Sequence, residues 1–252
     1  IVPVVNNNFI GGGSCNCIEI NANAGQSNVS FIGSTIAGGA SNTIKSTISG
    51  YYGQYNMNNA TIGGGQCNVI SSSASGTYTC IYSYASTIGG GQCNVILGSA
   101  SGTYAVANIY GATIAGGICN IISSSTTTVA DGAFSATIGG GECNKIYGGT
   151  GGSSDVKRNT IGGGYNNLIM CVHSSTIAGG TSNTITGRWS GILGGQNNCA
   201  KNDNIFIIGS NITSSGACTT FVNNLNIVNI PTSSAGLPIG SLWNSASFIK
   251  II

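Results

Sequence analysis

One pattern of apolar and polar positions recurs along most of the chain. A Thr-Ile pair is followed by Gly/Ala-Gly-Gly, two variable residues, an asparagine, one more variable residue and a second isoleucine. It runs from Phe9 to Ile18, Thr35 to Ile44, Thr61 to Ile70, Thr87 to Ile96, Thr113 to Ile122, Thr137 to Ile146, Thr160 to Ile169 and Thr176 to Ile185, with a weakened copy from Gly191 to Ala200. Each copy offers a short β-favouring run, a glycine group and a polar turn. A helical period of 3.6 does not survive the glycine triplets, so strands and turns are predicted throughout.

The repeat asparagines are Asn16, Asn42, Asn68, Asn94, Asn120, Asn144, Asn167, Asn183 and Asn198, giving steps of 26, 26, 26, 26, 24, 23, 16 and 15. A fixed period of this kind is the mark of a stacked architecture, here an all-β parallel β-solenoid or β-roll. The simplest division of the 26-residue unit is into two coils of about 13 residues, a reading encouraged by weak second copies such as Thr47-Ile-Ser-Gly50 leading to Asn56. On that division some sixteen coils between Phe9 and Phe221 would stack to roughly 75 Å. Ile36, Ile62, Ile88, Ile114 and Ile138 are expected in one buried column. Gly63 to Gly65 are expected where positive φ or close backbone approach is needed. The asparagines are expected to bond to turn backbone or to their own copies one rung away. So small a coil encloses little core, which favours several chains packed together, and a homo-oligomer is expected.

Composition narrows the function. Only 5% of the 252 residues are charged, 42 are glycine, and the net charge of +2 has no longer basic run than Lys157-Arg158. Binding to nucleic acid by phosphate neutralisation is not expected. No run of eighteen apolar residues suggests membrane insertion, and no basic-then-apolar signal segment opens the chain. Ile1 in place of a methionine reads as a processed end or a fragment boundary.

Candidate chemistry is sparse. The single histidine, His173, cannot build a His-rich metal site and is expected to be a surface or packing residue. Glu19, Asp131, Glu142 and Asp155 are far apart in sequence. Coils can bring distant residues together, as Asp131 and Glu142 within one rung, and paired carboxylates are the minimum for glycoside hydrolysis. Cys15, Cys67, Cys93, Cys119 and Cys143 all precede a repeat asparagine, where Ser41 and Ser182 stand in other copies. With two coils per repeat their sulfurs would lie about 9 to 10 Å apart, so free buried thiols are expected rather than disulfides. Cys15 and Cys17 form a CxC pair short of further ligands. Tyr51, Tyr52, Tyr55, Tyr78, Tyr82, Tyr84, Tyr104 and Tyr110 cluster in the first half, suited to corner packing or to stacking on a partner or sugar. Thr35, Thr61, Thr87 and Thr113 form a hydroxyl series. No catalytic, cofactor-binding or metal-ligating residue is assigned, and the chain is not expected to be an enzyme.

Residues 1–200 read as a β-solenoid shaft, 201–228 as a transition or cap, and 229–252 as a C-terminal oligomerisation segment. In the last of these, Pro231 and Pro238 frame a turn segment, and Trp243 and Phe248-Ile-Lys-Ile-Ile252 add apolar strand content. The Thr-Ile-Gly-Gly-Gly-x-x-Asn-x-Ile units resemble shaft repeats of viral and bacteriophage fibre or spike proteins, and are distantly similar to the head repeats of trimeric autotransporter adhesins. The tail, from Asn229-Ile-Pro through Gly236-Leu-Pro-Ile-Gly-Ser-Leu-Trp-Asn244 to Ile252, resembles the C-terminal segment of many phage and large-virus structural proteins. Ser245-Ala246 stands there in place of the usual Asp/Asn-Gly-Gly type turn.

The resemblance implies a homotrimeric structural virion protein on the outer surface or tail fibre. Its partners would be sister chains, other virion proteins and a host-surface glycan or protein. The alternatives are a cellular surface adhesin of the same architecture and, more remotely, a solenoid carbohydrate-active enzyme.

Overall fold

The computed structural model describes residues 4–23, 29–49, 54–77, 80–101, 106–126, 133–148, 156–245 and 248–251. It divides into two compact units, Ile1–Phe221 and Val222–Ile252. The first is a parallel β-solenoid with, among the described residues, three sheets of seven, eleven and nine strands.

One coil can be followed from Gln54–Asn58 on the first sheet, through Thr61–Ile62 on the second and Val69–Ser75 on the third, to Cys80–Tyr84 back on the first. Cys80 pairs with Gln54, Thr87 with Thr61 and Val95 with Val69. Equivalent residues of successive repeats are therefore nearest neighbours along the axis, and one whole repeat makes one coil. The expected division of each repeat into two half-length coils is corrected by this register. Thr47–Ser49 does not open a second coil, because it completes the seven-residue strand Thr43–Ser49. No glycine corner interrupts that strand, so the chain has no place to turn. The eleven strands of the second sheet, at about 4.8 Å per step, span roughly 48 Å rather than 75 Å.

The compression of the repeat is a taper. The first sheet ends at Val156–Lys157. Third-sheet strands shorten from seven residues at Val95–Ser101 to three at Leu168–Met170 and two at Thr184–Ile185. A coil that loses one side and shortens another needs less chain, which is why Asn183 follows Asn167, and Asn198 follows Asn183, at much closer spacing than the earlier asparagines. Ile205–Ile208 and Thr219–Val222 continue the second sheet beyond the last glycine motif.

Alternation dictates the core. In Val69–Ser75 every second residue faces inward and the others lie at the surface. Ile36, Ile62, Ile88, Ile114, Ile138, Ile161, Ile177, Ile192 and Ile207 form the expected column, in direct register and fully buried. Ile44, Ile70, Ile96, Ile122, Ile146, Ile169 and Ile185 form a second column on the third sheet, ending at Ala200. At about 1.5–3 kcal/mol for each fully buried aliphatic side chain, these columns dominate the stabilisation.

Between the columns runs a buried asparagine ladder. Asn68 Nδ2 donates to the Gly64 carbonyl of its own coil (2.9 Å), to the Gly91 carbonyl of the next (2.9 Å) and to Asn42 Oδ1 (3.1 Å). Asn68 Oδ1 accepts the backbone N–H of Asn94 (3.0 Å). Both outcomes expected of the asparagine, the local bond and the rung-to-rung bond, occur together. This satisfies polar groups that would otherwise be costly to bury. The glycine corner makes the ladder possible. Gly65 has φ +86°, and a Cβ on it would overlap the Gly91 carbonyl oxygen; one on Gly63 would overlap that of Gly89.

In the second unit, Leu242–Ser245 and Phe248–Ile251 pair as an antiparallel hairpin, with Trp243 opposite Lys250. The Asn244 N–H donates to the Pro231 carbonyl (2.8 Å), tying the proline segment to the hairpin. No helix among the described residues is long and apolar enough to cross a membrane.

Candidate functional surface

Each coil turns its corner between the second and third sheets through the glycines, and the residue before the ladder asparagine adopts a left-handed conformation there. Cys15, Ser41, Cys67, Cys93, Cys119, Cys143, Asn166, Ser182 and Asn197 occupy this position, and Asn211 takes the equivalent corner before Ile212, all with φ between 53° and 59°. The corner cysteines are free, and Cys67, Cys93, Cys119 and Cys143 are half-exposed while Cys15 is exposed. Two expectations are corrected here. The thiols are not buried, because the left-handed corner turns the asparagine inward and the preceding side chain outward. Those in consecutive coils lie one rung apart, because the coil holds the whole repeat.

The Cys93 thiol is held above its ordinary pKa, first by partial loss of solvent around it and then by the neighbouring Cys119 and Cys67. Cys17 is exposed at the start of strand Cys17–Asn23. The CxC pair therefore straddles a corner.

The threonine series is in register, with Thr87 between Thr61 and Thr113, and its members are half-exposed. Of the tyrosines, Tyr84 and Tyr110 stack across one rung, with ring centroids 5.2 Å apart and 15° between planes. Tyr51, Tyr52, Tyr78 and Tyr104 lie outside the described residues, as do the side chains of Tyr55 and Tyr82.

His173 packs as expected of a structural histidine, edge-on to Trp189 with centroids 4.9 Å apart. Asp131 and Asp155 lie outside the described residues, and Glu142 sits at an exposed corner bridged to Ile118 and Tyr165. Glu19 meets Lys45 at 3.2 Å on the adjoining rung. A hydrogen bond from Asn21, then Lys45, holds the Glu19 carboxyl below its usual range. Among the described residues, no group of three or more His, Cys, Asp or Glu side chains is arranged to hold a metal ion in common.

The second unit carries the largest apolar exposures: Leu225 68%, Val228 76%, Ile239 92%, Ile249 61% and Ile251 71%. Such a concentration of exposed aliphatic side chains in so short a unit is unusual for a surface facing water. Comparison with protein-family models gave no match, and comparison with curated proteins gave none either.

Proposed function

We propose that the chain is a structural protein of a virus particle, a homotrimeric fibre or spike whose stiff solenoid shaft projects from the surface and contributes to host attachment. The observation that carries this reading is the conjunction of two units. A regular solenoid with a continuous asparagine ladder is followed by a small hairpin unit rich in exposed aliphatic residues. The first is suited to rigidity and resistance to proteolysis, since its strands are held by continuous parallel pairing. The second is suited to burial against sister chains, and three copies meeting at an axis form a closed assembly. The sequence resemblance to fibre and spike proteins supports the same reading and supplies the virion setting. No step of chemistry is assigned to the chain. Host contact is assigned to the tyrosine-rich segments of the first half or to the tip, through a glycan or a protein.

Sedimentation equilibrium on the full chain tests the assembly, with a mass of about 75 kDa expected from three copies of 25.1 kDa. Immunogold electron microscopy of the source particle tests the setting, with label expected on threefold projections. A monomer that fails to associate at any concentration, together with label absent from the particle surface, would overturn the proposal. Label on a cell envelope instead would assign the same architecture to an adhesin.

A further inference from the structure

Four thiols stand in single file along one corner of the solenoid. Cys67, Cys93, Cys119 and Cys143 share one backbone conformation, with φ of 56°, 55°, 55° and 57°. The backbone fixes their succession: the N–H of Cys93 donates to the Gln66 carbonyl, that of Cys119 to Gln92 and that of Cys143 to Ile118, each at 2.9 Å. Neighbours in the file are therefore one rung apart, about 4.8 Å. All four thiols are free and half-exposed, and the Cys93 thiol is influenced electrostatically by both Cys67 and Cys119. Ser41 closes the file on one side and Asn166 on the other, at the same corner. A left-handed conformation is unfavourable for cysteine and comparatively easy for asparagine, which later coils use here at Asn166, Asn197 and Asn211. Four successive coils thus place sulfur where another residue is the better local fit.

The rung spacing decides what this sulfur line suits. A disulfide asks for Cβ atoms about 3.5–4.5 Å apart. In-register neighbours of identical conformation hold their Cβ atoms near the full rung spacing of about 4.8 Å, so a rung-to-rung disulfide would compress a stack fixed on every side by backbone hydrogen bonds. Metal–thiolate bonds are a little over 2 Å long, about 2.3 Å for zinc, so two set end to end span about 4.6 Å or slightly less and reach across the rung with a small side-chain rotation rather than a backbone movement. Soft monovalent cations favour thiolate ligands, and a two-coordinate arrangement needs no third ligand.

We infer that the file Cys67–Cys93–Cys119–Cys143 is a binding site for soft monovalent cations of the Cu(I) type, each held between the sulfurs of adjacent rungs, Cys67 with Cys93 and Cys119 with Cys143. Binding one cation forms two sulfur–metal bonds and releases two thiol protons to solvent. Sulfur and metal keep their oxidation states, and each filled site changes the charge of the chain by one negative unit. A cation between neighbouring sulfurs also offsets the mutual repulsion that opposes their deprotonation. The site depends only on one repeat making one coil and stands apart from the virion reading.

The test is anaerobic titration of the reduced full chain with Cu(I) as its acetonitrile complex. Native mass spectrometry is expected to show two tightly held copper ions per chain, with thiolate-to-copper ultraviolet absorption saturating at two equivalents. X-ray absorption is expected to show two sulfur neighbours per copper. Cys93→Ser breaks one pair and should halve the capacity. Cys93→Ser with Cys143→Ser leaves two thiols two rungs apart and should abolish tight binding. Cys171→Ser with Cys218→Ser removes two exposed thiols away from the file and should keep both ions. Serine already stands at this corner at Ser41 and Ser182, so the variants are expected to fold, which circular dichroism checks. Equal capacity in the two double variants would overturn the inference. So would mild oxidation that removes four hydrogens from the chain and seals the file as two disulfides.

Discussion

Asn94 makes every bond its amide allows. Its Nδ2 donates to the carbonyls of Gly90 and Gly117, both at 2.9 Å, and its Oδ1 accepts from the backbone N–H and Nδ2 of Asn120 at 3.0 and 3.1 Å. Asn94→Ala strands buried donors and acceptors on two rungs, and a loss of about 2–4 kcal/mol is expected in denaturant unfolding. Asn94→Asp keeps the shape but turns an oxygen toward two carbonyl oxygens, so a larger loss is expected at neutral pH. Glycine positions divide by geometry. Gly65→Ala meets the Gly91 carbonyl oxygen, whereas a Cβ on Gly64 at φ +146° enters open space. Gly64→Ala should cost about 1–2 kcal/mol from backbone strain alone, and Gly65→Ala clearly more in the same unfolding assay.

The raised pKa of Cys93 has a kinetic reading at this scale. Its alkylation by iodoacetamide should be slower than that of free cysteine at the same mildly alkaline pH, and should keep rising at pH values where free cysteine has levelled off. Folding favours the protonated thiol. The associated stability is therefore full below the ordinary thiol pKa and is lost as pH rises through the raised one. Peptide mapping of alkylated chains, read at several pH values, checks both the order and the direction.

The coil is the element that matters, and its length is where sequence and structure part. The steps of 26 from Asn16 to Asn120 already identify the axial neighbours, so the parallel stack, the isoleucine column and the asparagine ladder were legible. The division into halves was not. Thr47-Ile-Ser-Gly50 echoes the repeat in composition, yet the two-residue period along Thr43–Ser49 carries straight through it, burying Ser46 on the same face as Ile44. A third strand per coil looks locally like a degenerate second copy. The cysteine file was missed for the same reason: the column was visible, but its spacing was doubled. Excision of Ala74 through Ser99 removes one complete coil and joins equivalent positions, so β-sheet circular dichroism and cooperative unfolding should persist. Excision of only the first half of that stretch, Ala74 through Ser86, joins strands of different sheets and should abolish cooperativity.

At the scale of the whole molecule, the solenoid and the 222–252 unit divide the work. The first supplies regular hydrogen bonding and paired aliphatic columns, and the second supplies exposed aliphatic surface. Its hairpin was foreshadowed by the Leu-Trp-Asn and Phe-Ile-Lys-Ile runs, while the placement of its apolar residues at the surface needed coordinates. On the proposed assembly, Ile239→Asp with Ile251→Asp should convert the associated species into a monomer by sedimentation, with the solenoid's circular dichroism unchanged. Retention of the assembly would move the association surface elsewhere.

The claim on which the rest stands is that each full repeat is a single turn of the stack. Spin labels introduced as unnatural residues in place of Thr35 and Thr160 leave the native thiols untouched, and labelled chains co-produced with excess unlabelled chain report distances within one copy. These positions are five pairings apart on the second sheet. Double electron–electron resonance should therefore give a narrow distribution near about 24 Å, five steps of about 4.8 Å. A peak at twice that separation, as half-length coils require, or a broad distribution with no defined peak, would contradict it.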